Sequence, residues 1–459
     1  LSKMKILLLN PPNIEENKVD AHTIPLGILY LNEFIKQKGY DCDVLNLFFK
    51  KSWQDVSDVL SKTDFQVVGI SCYTRQRFSV FKLAEVCKKM NTHSTVVLGG
   101  PHATFLDKQI LEEIDAVDYI IRKEGELTFL ELLIALEKGR DTDLSKIRGL
   151  TFRENGSIIK NPPRKNIENL SDFPPPAYTQ EHLASFPKCE PLTFRFSKTG
   201  NQKSIAPILA SRGCNNNCLF CSSGLYFKKQ IYYTPEYVFN QILELNRKLN
   251  VRMFDFYDDN FTHSKRHVHA ICDLIIKSRL DIIWWCSCRA ESLDEDLLLK
   301  MKAAGCFTIS YGMESGSQRI LNNIRKNLTI EDYISAAELT KKTGLYLRLT
   351  ISIGHPGENE DSINETIKLL GQIKPDQVGL FLLKLYPGTP LHGRAKRSGF
   401  INNEYWFDKR MTSAPFYTEN ISLEKLIEYK NMIKESLKPH TAHQYENIEA
   451  YNLEFDLEW

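Results

Sequence analysis

Cys214, Cys218 and Cys221 stand four and then three residues apart in the polar run Ser211-Arg212-Gly213-Cys214-Asn215-Asn216-Asn217-Cys218-Leu219-Phe220-Cys221-Ser222-Ser223. Three thiols so close in one loop can wrap a single inorganic centre. Structural zinc sites are closed and four-coordinate, yet no fourth Cys or His stands at finger-like spacing. The nearest sulfur, Cys189, lies across a long polar segment. A [4Fe–4S] cluster is the better match, because three thiolates leave one iron open to a substrate or cofactor, whereas electron carriers usually use four. The triad therefore reads as the metal ligands of a reactive centre.

Further polar groups recur downstream, each just after an apolar run. Asp258 and Asp259 in Asp258-Asp259-Asn260-Phe261 can cap the next helix or accept from an ammonium group. Arg289 can grip a carboxylate through two N–H bonds, or pair Glu291 on the surface. Then come Gly312-Met313-Glu314-Ser315-Gly316-Ser317-Gln318, Gly354-His355-Pro356-Gly357-Glu358 and Tyr386-Pro387-Gly388-Thr389-Pro390-Leu391. The cysteine spacing, with Phe220 just ahead of the last thiol, resembles the signature of the radical S-adenosylmethionine superfamily, and Gly312–Gln318 is similar to its Gly-x-Glu-Ser-Gly-Ser motif. That resemblance runs from Arg212 to about Gly399. It implies that the open iron binds the amino and carboxylate groups of S-adenosylmethionine and that an electron from the cluster cleaves the cofactor to a 5′-deoxyadenosyl radical. It further implies cofactor contacts from Asp258 and Asp259 (ammonium), Arg289 and Arg348 (carboxylate), Glu314 and Ser315 (ribose or methionine) and the Phe220 backbone (adenine).

The elements that must position these groups alternate strand, loop and helix six times between 206 and 399, from Ile208–Ser211 to Gln377–Leu382. Such an array predicts a partial (β/α)6 TIM-like barrel with its chemistry at the carboxyl ends of the strands. Residues 1–140 show the same alternation, with buried strands at Ile6–Leu9, Val44–Leu47, Val67–Ser71, Val96–Leu98 and Tyr119–Ile121 and helices between them, including Phe105–Ile114. This predicts an α/β, doubly wound Rossmann-like domain, whose ligands sit at the strand ends. Those ends carry Ser71, Tyr73 and Thr74; Gly99, Gly100 and His102; and Glu124, Gly125 and Glu126. Together with Pro25-Leu26-Gly27-Ile28-Leu29-Tyr30-Leu31, these runs resemble the cobalamin-binding domain found ahead of radical S-adenosylmethionine domains. The resemblance implies that the named residues bind cobalamin, with His102 toward its nucleotide side. Arg75 and Arg77 can meet the corrin edge or form surface ion pairs. His22 stands in Asp20-Ala21-His22-Thr23-Ile24-Pro25, where domains that ligate cobalt through histidine carry glycine rather than Pro25. It is expected to be a solvent-exposed loop residue and not a cobalt ligand.

Residues 141–205 are punctuated by proline and read as a semi-rigid linker carrying one β-hairpin on Asn155-Gly156. Residues 400–459, with a helix near Leu423–Ser436 and an acidic, aromatic tail, read as a closing region that contributes to substrate choice. Leu1-Ser2-Lys3 ahead of Met4 is expected to be a remnant of cloning. Lys+Arg of 59 against Asp+Glu of 57 gives a formal charge of +2, so no basic excess points to nucleic acid. No apolar run approaches the roughly 20 residues that span a bilayer, and 11 cysteines without a paired pattern read as reduced thiols of a cytoplasmic protein. The two resemblances together imply a cobalamin-dependent radical enzyme that methylates an unactivated carbon of a small molecule or peptide through methylcobalamin, fed by a one-electron reductant such as flavodoxin or ferredoxin. Cyclisation or rearrangement without net methylation is the alternative. A transfer-RNA methylthiotransferase fits less well, since Cys42 and Cys87 fall inside elements and the tail is acidic.

Overall fold

The computed structural model describes residues 4–15, 25–139, 142–184 and 205–441. His22, Cys189 and Leu1 to Lys3 lie outside the described residues. The first sheet contains β1 (Lys5–Asn10), β2 (Asp41–Asn46), β3 (Val67–Ser71), β4 (Thr95–Gly99), β5 (Tyr119–Ile121), β6 (Leu150–Glu154) and β7 (Ser157–Lys160). Their order is β2-β1-β3-β4-β5-β6-β7, with β1 to β5 parallel. The apolar runs of β1, β3, β4 and β5 are what a parallel sheet covered on both faces requires, while the edge strand β2 is half polar. The order reverses between β1 and β3, which opens a crevice at their carboxyl ends.

Three expectations shift. The hairpin assigned to the linker is the antiparallel edge of the first sheet, β6 lying beside β5. Phe105–Ile114 is two helices, Pro101–Phe105 and Asp107–Glu113. Pro101 starts the first directly after Gly100 at φ +93°, and the second begins on a buried Asp107 that accepts from Thr151 (2.7 Å) and pairs with Lys160 (2.8 Å) and Arg122 (3.5 Å). The first barrel strand also ends early, as described next.

The second sheet comprises β8 (Ile205–Ile208), β11 (Met253–Phe256), β12 (Ile283–Cys288), β13 (Cys306–Glu314), β14 (Tyr346–Ile353) and β15 (Gln377–Leu382), all parallel and in chain order from one edge to the other. One cavity is lined from five of these strands, so the sheet curls around it as a partial barrel. After β8 the chain leaves the sheet: β9 (Ser211–Arg212) pairs antiparallel with β10 (Ile231–Tyr232), and the cysteine loop hangs between them. Trp284 lies in the core against Phe256 and Phe261, its indole N–H donating to Ala304 O, whereas Trp285 faces the barrel cavity.

The C-terminal segment touches both units. Its helix, Leu423–Thr441, packs on helix Glu360–Ile373, β14 and β15. Fully buried Arg77 donates to the carbonyls of Trp406 (3.0 Å), Met411 and Thr412 (3.3 Å), tying the segment to the first unit rather than reaching for a ligand. Among the described residues, no helix is long and apolar enough to cross a membrane.

Candidate active site

The cysteine loop is held from behind by the two acids expected to face a cofactor. Asp258 accepts from Ala210 N (3.0 Å) and Ser211 Oγ, and Asp259 accepts from Ser223 Oγ (2.7 Å). Burial pushes Asp258 up to about 7 against the pull of those donors. Gln230 adds bonds to Ser211 Oγ (2.8 Å) and Asn260 O (2.7 Å). Only glycine fits at Gly213, where φ is +89° and a Cβ would lie 2.6 Å from Phe227 Cβ. These contacts present Cys214 half-buried, Cys218 buried and Cys221 exposed. Burial raises the Cys218 thiol; Cys221, though open to the large cavity, is enclosed by enough protein that desolvation takes it to about 11, and each of these thiols is raised further by Cys214. Among the described residues, no three His, Cys, Asp or Glu side chains could hold a single metal ion. The three thiols lie close enough to influence one another's charge, and three cysteine ligands from one loop leave a corner of a [4Fe–4S] cluster free for a further ligand.

A ring of buried charge surrounds Cys218. Glu314, at the end of β13 and at φ +66°, accepts from Lys326 Nζ (3.0 Å) and Ser352 Oγ (2.8 Å), and Ser352 also meets His355 Nε2 (2.7 Å). A left-handed glutamate is strained, and such strain is kept where the surroundings fix it. Its pair with Lys326 holds the carboxyl below its usual range although burial alone would raise it. The Phe220 ring lies 5.4 Å from that of His355, with Lys326 Nζ at 6.0 Å. Arg289 is already engaged, through Glu291 (2.6 Å), the Lys326 carbonyl (2.5 Å) and Cys218 Sγ (3.9 Å), so it presents no free fork for a methionine carboxylate. Ser315 turns away to Thr366 (3.4 Å) and the Ser317 amide (3.2 Å) instead of toward a ribose. Arg348 lines the barrel cavity with Asp255 and Ser310 and not the space beside the cysteine loop.

At the strand ends of the first sheet lies a cavity of about 650 Å³. Ser71, Tyr73, Gly99, Gly100, Glu124, Gly125 and Glu126 line it, as does Arg75; so do Cys221, Ser222, Ser223, Tyr257 and Asp259 from the second unit. A Cβ on Gly27 would meet nothing within 4 Å, one on Gly99 only Ile121 O at 4.0 Å, and one on Gly125 only the Ile121 side chain at 3.6 Å. Those glycines bare their backbone to the cavity, a cradle suited to a wide, flat ligand such as a corrin. Thr74 and His102 do not line it. His102 is buried behind, its Nδ1 3.1 Å from Thr74 Oγ1 and its ring against Trp406. Glu124 and Glu126 share Arg212, at 3.4 and 2.7 Å, and its guanidinium lies over Tyr30 and Tyr233. This buried ion triad joins the first unit to the residue that precedes the cysteine loop.

Two family models match: B12 binding domain over residues 17–133 and Radical SAM superfamily over 208–370. An uncharacterised methyltransferase of Pyrococcus horikoshii is 33% identical over 91% of this chain and 90% of its own length. The chain belongs to the cobalamin-dependent radical S-adenosylmethionine family. An anaerobic magnesium-protoporphyrin IX monomethyl ester cyclase of Rubrivivax gelatinosus is 26% identical over 84% of this chain and 69% of that protein. The radical S-adenosylmethionine methyltransferase TsrM of Kitasatospora setae shares the fold, with a TM-score of 0.72 and 19% identity over 86% of this chain and 76% of its own.

Sequence reasoning missed several residues of this family member's site: Lys326, Ser352 and Arg212. Lys326 lies 12 residues after Glu314, beyond a helix, with no motif of its own. Arg212 stands next to the triad, and its position between an apolar strand and a Gly-Cys step was a usable signal.

Proposed function

We propose that the chain is a cobalamin-dependent radical S-adenosylmethionine methyltransferase acting on an unactivated carbon, one with no lone pair to attack a polar methyl donor. The observation that carries this reading is the shared cavity, in which the bared backbone of β4 and the exposed thiol Cys221 line one space. When bound, a [4Fe–4S] cluster on Cys214, Cys218 and Cys221 supplies the electron that cleaves S-adenosylmethionine, and cobalamin carries the methyl group. The chain's own residues do the positioning. Asp258 and Asp259 hold the loop in place, and the buried Glu314–Lys326 pair fixes the charge beside Cys218, where the methionine end of the cofactor would lie. Tyr226, Phe227 and Tyr257 line the cavity between the units with aromatic surface.

The test is anaerobic reconstitution, with iron and cobalt counted per chain, followed by assay of S-adenosylhomocysteine, 5′-deoxyadenosine and product mass. Both coproducts and a gain of one CH2 are expected. A protein that takes up no cobalamin and makes no S-adenosylhomocysteine would sink the reading. The cyclase relative favours a second reading, rearrangement without methylation, for which 5′-deoxyadenosine forms and the product gains no CH2. The substrate is a small molecule or peptide rather than nucleic acid, given the balanced charge, and flavodoxin or ferredoxin supplies the electron. The ten described cysteines are all unpaired, which supports a cytoplasmic setting. The proposed units are a cobalamin-binding one extending through the hairpin to Lys160, a linker, the barrel to Gly399 and a closing region.

A further inference from the structure

Tyr257 lines both the cofactor cavity and a second, smaller one of about 230 Å³ lined from the curled sheet. That volume admits a head group and not a cofactor. One layer of it is fixed by strand register: Ser287 lies beside Ser310, Ser310 beside Arg348, and Arg348 beside Gln377. Ser352, bonded to Glu314 near Cys218, is four residues further along β14, roughly 13 Å at about 3.3 Å per residue. Arg348 extends into the room left by Gly379, whose Cβ would sit 3.6 Å from the Arg348 Nη2.

Two of the groups lining this space lack partners. Arg348 Nε and Thr308 Oγ1 are buried without a hydrogen-bond partner, and Thr308 is 3% exposed. Buried donors without partners are rare and expensive. Asp255 and Asp258 also line the cavity; burial pushes both up to about 7, which favours their neutral forms beside a bound anion, and Asp258 is already turned to Ala210 N and Ser211 Oγ. A guanidinium fork beside hydroxyls matches the planar oxygens of a carboxylate or the oxygens of a phosphate.

We propose that this barrel cavity binds the anionic end of the substrate, with Arg348 as its charge partner and Thr308 and Ser310 as hydroxyl partners, so that the rest of the molecule rises past Tyr257 toward the cofactors. The assignment rests on the function proposed above. Its test is calorimetric titration of the anaerobically reconstituted protein with acetate, inorganic phosphate and, as neutral control, acetamide. One of the anions is expected to bind in the millimolar range and acetamide not. Tighter acetate names a carboxylate, tighter phosphate a phosphate ester. Arg348→Gln should weaken that anion by about tenfold or more and the isosteric Thr308→Val by a few-fold, with visible absorption and S-adenosylmethionine affinity unchanged. Wild-type protein that binds neither anion, or an anion site that survives both substitutions, overturns the proposal. Loss of S-adenosylmethionine affinity in Arg348→Gln returns that residue to the cofactor and overturns it while leaving methyl transfer intact. Wild-type protein that takes up neither cofactor removes the function itself and the substrate assignment with it.

Discussion

The two α/β units meet their ligands by opposite means. At the strand ends of the first sheet the chain bares backbone between its side chains: a Cβ on Gly27 would meet nothing within 4 Å, and one on Gly99 or Gly125 only Ile121. At the strand ends of the second it concentrates them, with three thiols and the buried set Glu314, Lys326, Ser352 and Arg289. A wide macrocycle is recognised by shape, and bared backbone lets it approach; a small charged cofactor needs countercharges out of water, where they act strongly. The contrast therefore predicts that the second unit fails when atoms are removed and the first when atoms are added.

The largest effect belongs to the second unit. Cys218→Ala should abolish the broad visible absorption of a reconstituted cluster and reduce 5′-deoxyadenosine to background, while cobalamin uptake stays near wild type. A variant that still makes 5′-deoxyadenosine would take Cys218 out of the site. The counterpart in the first unit is Gly99→Leu. Its side chain would project where only Ile121 O stands within reach, at 4.0 Å, so the fold should hold, the cluster should load, and cobalamin should bind about tenfold or more weaker. Equal cobalt content in wild type and variant would break the contrast at its simplest point.

Arg212 joins the two units and tests whether they are coupled. Arg212→Gln leaves Glu124 and Glu126 without their buried partner, a loss of about 3 kcal/mol for an ion network broken on one side. Burial already pushes Glu124 up against the pull of Arg212, which makes that carboxylate dependent on it. Beyond a lower melting temperature, the variant should make more 5′-deoxyadenosine per product, because the cysteine loop is no longer fixed to the cobalamin side. An unchanged ratio would reduce the triad to a stabilising contact.

Much of this architecture was legible in sequence. Glycines after strands and thiols at fixed spacing carry local rules, and both parallel sheets follow from the alternation of apolar runs and helices. What escaped depends on which way a side chain turns. Asp258 and Asp259 look like free acceptors until Ala210, Ser211 and Ser223 are seen to occupy them, and Ser315 follows a family motif yet faces a helix. The hairpin over 150–160 was visible from Asn155-Gly156, but its docking on β5 is a long-range pairing that the local pattern does not encode. His102, one residue past a cavity-lining proline, points to the opposite side of its short helix.

His102 gives the smallest and most specific prediction. It sits behind the cobalamin cavity among Thr74, Phe81, Trp406, Arg77 and His392, where burial, then Arg77 and His392, depress it to about 3. A histidine depressed when folded keeps its contribution above the unfolded value near 6.5 and loses it as pH falls toward 3, because the unfolded chain takes up the proton first. From pH 7 to pH 5 that loss amounts to about 2 kcal/mol. Asp255, Asp258 and Glu358, raised to about 7 by burial, act with the opposite sign, since folding favours their protonated forms as pH falls. Wild-type stability alone therefore mixes the two, and His102→Gln separates them. Against a constant offset at neutral pH, the variant should gain on wild type by about that amount as pH is lowered to 5, read as the difference between the two denaturant midpoints. Parallel curves would mean that the folded chain takes up the proton as readily as the unfolded one, so that the C-terminal segment tolerates a charged histidine at pH 5.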